Sequence, residues 1–203
     1  CIGLIKDDTQ AVKGITTSDG RTISGEAVIM AAGHSAREVY TLLAENGAEL
    51  ESKTFAMGVR VEHPRAEIDS IQYHGKDPGD LGAASYRLAA QADGRGVYSF
   101  CMCPGGVIVP SATADDEIVV NGMSPSNRNT RWSNAAIVVE IQPEDVPEEF
   151  VLVANPGMDE KAWRALAGVR YQKWYEHEAK KNGKGQMAPA QKLVDFMEGR
   201  QSA

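Results

Sequence analysis

Short apolar runs alternate with turn signals along the first thirty residues of the chain. Cys1–Ile5 opens as a strand, and Ala11–Thr17 is rich in β-forming residues. The second run ends at Asp19-Gly20, a strong hairpin signal, so Arg21–Ser24 is predicted to return as its partner. Ala27–Met30 is a continuous apolar run, typical of a strand covered on both faces. The pattern predicts a hairpin and then a buried strand.

A helix is predicted directly after this strand. Small residues at Ala31–Gly33 form the turn, Ser35 is a good N-cap, and Glu38 completes a capping box. An apolar face at helical spacing continues until Asn46-Gly47, which ends the helix. A buried strand, a small-residue turn and a capped helix together indicate an α/β sheet with a ligand near the carboxyl end of the strand.

Beyond residue 54 the pattern is mainly β, with Gly- and Asp-rich turns between short runs. This spacing is typical of an antiparallel sheet or a barrel-like domain. The predicted strands are Phe55–Glu62, Ser85–Ala90, Gly96–Cys103, Val107–Pro110, Glu117–Asn121 and Ala136–Ile141.

The last sixty residues change again. Pro143–Pro156 is acidic and contains proline, which predicts a linker. A helix with its aromatic positions on one face, from Trp163 to Trp174, is predicted to contribute to the core, and a second helix is expected over Pro189–Gly199.

Charge and composition narrow the function. The 203 residues carry a formal net charge of −7, which argues against nucleic-acid binding. No apolar run approaches the roughly 20 residues of a membrane-spanning helix, so no membrane partner is expected. Three cysteines do not form a disulfide framework, which favours a reducing cytoplasm.

Ala31–Ser35 is the most informative turn. Small side chains let a ligand approach the backbone closely, and amides at the start of the next helix can face a phosphate. The alternative is a tight turn with a serine cap that serves packing alone, and the residue pattern by itself favours that alternative.

Cys101 and Cys103 lie on a predicted strand that leads into Pro104-Gly105-Gly106. Residues two apart on a strand share a face, so the two sulfurs are expected to be neighbours. Such a pair can line a redox centre or supply a reactive thiol. Buried cysteines are more often inert, however, and that interpretation is favoured. Zinc would need further ligands nearby, so no metal site is predicted.

Two other kinds of side chain are candidates for a site. Arg128, in the polar loop after Asn121, can clamp a carboxylate or phosphate with two hydrogen bonds, although a plain surface loop explains it equally well. His34 and His63 each lie beside a turn and titrate near neutral pH. Neither is assigned as a base.

Several long segments resemble one family in the same order along the chain. They are Val28–Arg37, Phe55–Pro64, Tyr98–Gly106, Val119–Ser124 and Ala188–Gln191. The family is an uncharacterised group of bacterial FAD-dependent dehydrogenases, within the NAD(P)/FAD-dependent oxidoreductases.

The resemblance implies an α+β protein. Residues 1–52 are expected to be a piece of a Rossmann-like FAD-binding domain. Residues 53–203 are expected to be a mostly antiparallel β inserted domain, on the substrate side, with C-terminal helices. The parent protein is then an oxidoreductase that transfers hydride between a small-molecule substrate and FAD, with NAD(P)H as a candidate further partner.

The resemblance also places residues near the cofactor by position. Ala32, Gly33 and His34 are expected to lie near FAD, and the loop that contains Gly105 and Gly106 is expected near the flavin ring or the substrate. The cysteines of that loop, Cys101 and Cys103, are the only catalytic candidates, and the catalytic acid or base stays unassigned.

The sequence has no starting Met and no G-x-G-x-x-G loop, which such proteins carry near the N-terminus. We therefore expect an internal piece of a longer protein that does not retain FAD and is inactive alone. Two other functions stay open. One is a non-catalytic β-rich ligand-binding or interaction domain, and the other is a thiol-redox protein.

Overall fold

The structure, a computed structural model, describes residues 1–33, 35–112 and 114–202. The chain divides into two compact units, and each is treated by itself. Unit 1 comprises Cys1–Ser52 and Val146–Arg170, and unit 2 comprises Lys53–Asp145 and Tyr171–Ala203. The fold is α+β, and every strand pair in the described residues is antiparallel.

The elements follow in chain order. The strands are β1 Gly3–Lys6, β2 Val12–Thr16, β3 Thr22–Ser24, β4 Phe55–Pro64, β5 Ala89–Ala92, β6 Arg95–Cys103, β7 Val107–Pro110, β8 Val120–Met123 and β9 Trp132–Ile141. The helices are α1 Glu38–Glu45, α2 Arg65–Gln72, α3 Glu148–Val151, α4 Glu160–Ala165, α5 Ala167–Asn182 and α6 Leu193–Met197. Within the described ranges, no helix is both long and apolar enough to cross a bilayer.

Unit 1 contains the predicted N-terminal hairpin. Strands β1, β2 and β3 form an antiparallel sheet in that order. Gly20 adopts a φ of +82° in the turn between β2 and β3, a conformation that glycine adopts without a steric cost. The prediction of a strand, a turn at Asp19-Gly20 and a returning strand is therefore confirmed.

The predicted buried strand at Ala27–Met30 is wrong. These residues form no strand, and Ile29 is 90% exposed. A strand covered on both faces needs a neighbouring strand that satisfies its backbone groups, and none in the described residues pairs with this segment.

The predicted start of the following helix is also wrong. Helix α1 begins at Glu38, preceded by Arg37 with helical backbone angles and no side-chain cap bond. Ser35 is not the N-cap, because its carbonyl accepts from the amide of Arg37 at 2.9 Å and closes a turn ahead of the helix. The predicted end at Asn46-Gly47 is confirmed, with Gly47 at a φ of +79°.

Unit 1 also takes up residues 146–170, which the sequence analysis places with the second domain. Lys161 forms an ion pair with Glu49, and the hydroxyl of Ser52 donates to the carbonyl of Ala165 at 3.2 Å. These bonds join α4 to the segment that follows α1.

Unit 2 is built on a sheet with the strand order β4-β9-β6-β5. The pairing of β4 with β9 runs from Phe55 opposite Ile141 to Pro64 opposite Trp132. Because β9 is the central strand, its residues Ser133, Asn134 and Ala135 are 0% exposed. The hairpin of β7 and β8 forms a second, two-stranded sheet.

Strand β6 contains a β-bulge. Phe100 pairs with Ala136, and the next paired residues are Cys103 and Asn134. Between these two pairs, two residues of β6 lie opposite one residue of β9, so the extra residue is Cys101 or Met102. Cys101 has a φ of +47°, which is uncommon for a residue with a side chain.

Two strands are displaced from their predicted positions. Strand β8 starts at Val120, because the residues before it contact α5 instead of a strand. The amide of Ile118 donates to the carbonyl of Glu176 at 3.1 Å, and Glu117 forms an ion pair with Lys173 at 3.6 Å. Strand β5 starts at Ala89, later than the predicted Ser85.

The C-terminal part is more helical and less buried than predicted. Helix α3 lies inside the predicted linker. The predicted single helix over Trp163–Trp174 is divided at Leu166 into α4 and α5. Ala167 is buried, but Trp174 is 46% exposed, so the expected core stripe is only partly a core.

Candidate functional site

A groove of 660 Å³ lies in unit 2, lined by Ser85–Ala89 on one side and Tyr98–Met102 on the other. Its exposed surface is nearly equally polar and apolar, and its exposed apolar side chains include Phe100 at 61%, Leu88 at 56% and Tyr98 at 38%. Concave sites of this size with a few polar groups are typical of small-molecule binding. The groove is therefore the candidate site of this unit.

Hydrogen bonds between Leu88 and Ser99 shape the groove. The amide of Ser99 donates to the carbonyl of Leu88, and the amide of Leu88 donates to the hydroxyl of Ser99, both at 2.8 Å. The Ser99 hydroxyl takes the place of a backbone carbonyl as the acceptor for the amide of Leu88. The segment before β5 therefore lies beside β6 without the regular backbone hydrogen bonds of a strand pair. Tyr98 and Phe100, two apart on β6, then share one face.

Arg60, on β4, binds the bulge in β6. Its Nε donates to Oδ1 of Asn134 at 2.7 Å, and Nη2 donates to the carbonyl of Cys101. Nη2 also lies 3.4 Å from Sγ of Cys103, and Nη1 lies 3.4 Å from Oδ1 of Asn121. One planar guanidinium thus holds three strands around the bulge, which lysine could not do.

Gly122, on β8, leaves room for this arginine. A Cβ at this position would lie 2.3 Å from Oδ1 of Asn134 and 2.6 Å from Sγ of Cys103. We call Arg60, Cys103, Gly122 and Asn134 the Arg60 cluster. Nδ2 of Asn134 is buried within it and has no hydrogen-bond partner.

The two cysteines of β6 have different environments. Cys103 is buried, and burial raises the pKa of its thiol. Cys101 is exposed, and its Sγ lies 4.0 Å from Oδ1 of Asn121. The bulge interrupts the alternation on which the expectation of neighbouring sulfurs on one face rested, and both thiols are free. The inert interpretation fits Cys103, whereas Cys101 lines the groove.

His63 and Tyr86 form a hydrogen-bonded pair beside the groove. Nε2 of His63 lies 2.8 Å from the hydroxyl of Tyr86, and the ring centroids are 5.5 Å apart. Burial lowers the pKa of His63 and raises the pKa of Tyr86, so both side chains are held neutral. Nδ1 of His63 is buried and has no side-chain hydrogen-bond partner in the described residues.

The space beside Gly105 and Gly106 is filled by the chain itself. A Cβ on Gly105 would lie 1.8 Å from the carbonyl oxygen of Arg128, and one on Gly106 would lie 2.5 Å from that of Met123. The amide of Gly105 donates to the hydroxyl of Ser133 at 3.0 Å. Both glycines are buried, so they serve internal packing and leave no open cradle for FAD.

In unit 1, the backbone at Ala32-Gly33 is accessible from solvent. Both residues are exposed, Gly33 has a φ of +76°, and a Cβ on it would meet no atom within 4 Å. Packing therefore does not explain this glycine, and a ligand could approach the backbone here. This geometry fits a cofactor contact. His34, the third residue of this prediction, lies outside the described residues.

Arg128 is exposed on the loop after β8 and has a φ of +48°. Its backbone closes a turn, with its amide donating to the carbonyl of Pro125 at 2.9 Å. Its side chain is not part of the groove, whereas that of Arg87 is. In the parts of the chain that the structure describes, no three His, Cys, Asp or Glu residues could hold a metal ion together.

The sequence analysis missed Tyr86 and the Arg60 cluster. Tyr86 lies in a loop without a motif, and its distance of 23 residues from His63 gives no signal in the sequence. The partners of Arg60 are polar groups on β6, β8 and β9, which its position on the predicted strand Phe55–Glu62 does not reveal. Gly122 is a sequence signal for close packing, and it was interpreted only as part of the polar loop after Asn121.

The larger unit is an antiparallel sheet domain with an aromatic groove, and the smaller unit contains an exposed glycine turn. Residues 54–203 match the family described as FAD-dependent protein, C-terminal domain-like, and the chain belongs to this family. An uncharacterized protein of Clostridium beijerinckii is 40% identical over 188 residues, which cover 91% of this chain and 33% of that protein. The chain thus spans about a third of its relative's length.

Proposed function

We propose that this chain is the substrate-side part of a flavin-dependent oxidoreductase, in which hydride passes between a small-molecule substrate and FAD. The family is FAD-dependent, and the observation that carries the proposal is the groove on β6. The cofactor supplies the hydride chemistry, and the chain supplies binding and orientation.

The lining of the groove indicates the kind of substrate. Tyr98 and Phe100 offer adjacent exposed ring surfaces, which suit a planar or unsaturated molecule. Arg87, on the opposite side, brings a positive charge to the groove. We therefore propose a planar substrate with one anionic group, which Arg87 can bind by charge.

Within unit 1 we propose that residues 1–52 belong to the Rossmann-like FAD-binding domain of the longer protein. Ala32 and Gly33 are the residues we assign to the cofactor, because their main chain is open to close approach. A variant Ala32→Trp of the full-length protein is expected to lose bound FAD. Ala48→Trp, at another exposed alanine of unit 1, is the matched control and is expected to retain it.

The visible absorption spectrum is the first experiment. We expect the purified full-length protein to show a flavin band, and this chain alone to show none even after FAD is added. NADH and NADPH added without oxygen then test whether a nicotinamide reduces the flavin. A full-length protein without flavin, before and after FAD addition, would leave a non-catalytic ligand-binding domain as the better interpretation.

A further inference from the structure

We infer that Tyr86 and His63 form the proton-transfer pair of the groove, so that Tyr86 exchanges a proton with the reacting oxygen of the substrate. The inference rests on the proposed function, because it needs the groove to hold the substrate. It assigns the acid and base that the sequence left unassigned.

The geometry of Tyr86 carries the inference. Tyr86 is one of the residues that line the groove, and its hydroxyl lies 2.8 Å from Nε2 of His63. A ligand in the groove can therefore reach an oxygen that is already bonded to a titratable ring. Among the groove residues, Tyr98 and Cys101 also carry acidic protons, but neither has a histidine partner in the described residues.

The two tautomers of His63 correspond to two directions of its hydrogen bond with Tyr86. With the proton on Nε2, His63 donates to Tyr86, and the tyrosine hydroxyl is free to donate to a ligand oxygen. With the proton on Nδ1, Tyr86 donates to His63, and its oxygen accepts from a ligand hydroxyl. Within the described residues no other side chain bonds Nδ1, and a hydrogen bond with the backbone of His63 itself raises the pKa of the ring.

Desolvation keeps this pair neutral, whereas the surrounding charges favour its ionised forms. Desolvation lowers the pKa of His63, while Glu67 and Glu62 oppose that shift. Desolvation raises the pKa of Tyr86, while Arg60 opposes that shift. Taking up a proton converts His63 to the imidazolium, and the carboxylates of Glu67 and Glu62 favour that charged form.

The reaction balances for a secondary alcohol. Bound FAD would accept the hydride from the alcohol carbon while the O–H bond breaks and a C=O bond forms. The hydroxyl proton passes to the oxygen of Tyr86 as the tyrosine proton passes to Nε2 of His63, which thereby becomes an imidazolium with protons on both nitrogens. The reverse reaction starts from that imidazolium, because Tyr86 donates its proton to the carbonyl oxygen and regains one from Nε2 of His63.

The test uses 4-fluorophenol, a planar phenol, as the probe of the full-length protein, because ¹⁹F NMR reports both its binding and its ionisation and is not obscured by flavin. If Tyr86 donates to the bound oxygen, the pKa of the bound phenol falls by about one unit relative to the free phenol. Tyr86→Phe is expected to abolish this shift while weakening binding of the neutral phenol less than about threefold.

Matched variants separate the roles. Tyr98→Phe removes a hydroxyl from the same groove without a histidine partner and is expected to keep the shift. Phe100→Ala tests the groove itself and is expected to weaken binding. His63→Gln tests the positioning role of the histidine, and the pKa of the bound phenol is expected to return toward its free value.

Each outcome has a distinct meaning. An equal pKa of the bound phenol in wild type and Tyr86→Phe, with weaker binding in Phe100→Ala, overturns the proton-transfer pair and leaves the groove in place. No binding of the phenol to wild type removes the groove as a substrate site, and the proton-transfer pair fails with it. Far-UV circular dichroism verifies that each variant is folded.

Discussion

A Cβ atom on Gly122 would lie 2.2 Å from Nη2 of Arg60. The guanidinium is not free to move aside, because Nε is bonded to buried Asn134 and Nη2 to the carbonyl of Cys101. Glycine at this position therefore allows β8 to pack against the arginine that fixes the bulge in β6.

Gly122→Ala is expected to destabilise the protein by about 2 kcal/mol, since the methyl group must displace Arg60 and break its bond to Asn134. Gly96→Ala, in β6, is the control, because the nearest atom to its Cβ is 4.0 Å away and its φ is not positive. We expect the control to change stability by less than about 0.5 kcal/mol. Urea unfolding measures both, and equal effects would contradict the packing role of Gly122.

The environments of the two cysteines predict different reactivities. Cys101 is exposed and Cys103 is buried with a raised thiol pKa, so we expect iodoacetamide to alkylate Cys101 at least about tenfold faster at neutral pH. Because the pKa of Cys103 lies above the ordinary 9.0, its thiolate fraction should rise only in more alkaline solution. Mass spectrometry of the labelled peptides gives both rates.

Urea-unfolded protein provides the control for this experiment. Both cysteines lose their environments on unfolding and should then react at similar rates. If Cys103 reacts as fast as Cys101 in the native protein at neutral pH, the buried position of Cys103 is wrong.

Local patterns predicted those elements whose partners are close in sequence. The hairpin of β2 and β3 follows from Asp19-Gly20, and the bounds of β7 at Val107–Pro110 were predicted as observed. Ala27–Met30 shows the opposite case. A buried strand needs both an apolar sequence and a neighbouring strand to pair with. A continuous apolar run supplies the first and does not specify the second.

The groove was less predictable than the fold. Cys101 and Cys103 were identified as candidates because of their residue type and the Pro-Gly-Gly that follows them. The bulge that gives them different environments is bound by Arg60, some 40 residues earlier in the chain, and was not predicted. Tyr86 and His63 meet only after β4 and the loop before β5 have been placed by the sheet. Contacts of this range arise from the tertiary fold and leave no periodic signal.

The ion pair between Asp145 and Arg95 predicts an acid-sensitive contribution to stability. Hydrogen bonds from Arg95, and then from the amide of Gln142, lower the pKa of Asp145. The native state therefore binds this proton more weakly than the unfolded chain does. The pair stabilises the fold above the ordinary pKa of 3.8, and that contribution is lost as the pH falls through the lowered value.

Asp145→Asn is expected to lower the urea midpoint at neutral pH and to make it fall less steeply than wild type as the pH drops below 3.8. Asp8→Asn is the control, because Asp8 is an exposed carboxylate without a hydrogen bond or ion pair in the described residues. Parallel pH profiles for wild type and Asp145→Asn would show that the ion pair contributes nothing.

The N-terminus of α4 gives a last prediction, in unit 1. The side chain of Asp159 accepts from the amide of Ala162 at 3.0 Å and satisfies one of the free amides of the first turn. Asp159→Ala is expected to destabilise the protein by about 1 kcal/mol. Lys192 precedes α6 without a side-chain cap bond, so Lys192→Ala is the matched control and should leave stability unchanged.

Hydrogen exchange distinguishes loss of this cap from a global effect. If the cap acts locally, the amides of α4 exchange faster in Asp159→Ala, whereas the amides of β9 in unit 2 change only by the global destabilisation. Unchanged exchange in α4 would contradict the cap. Because α4 is joined to Glu49 and Ser52, faster exchange that also reaches those residues would show that the helix supports the segment after α1.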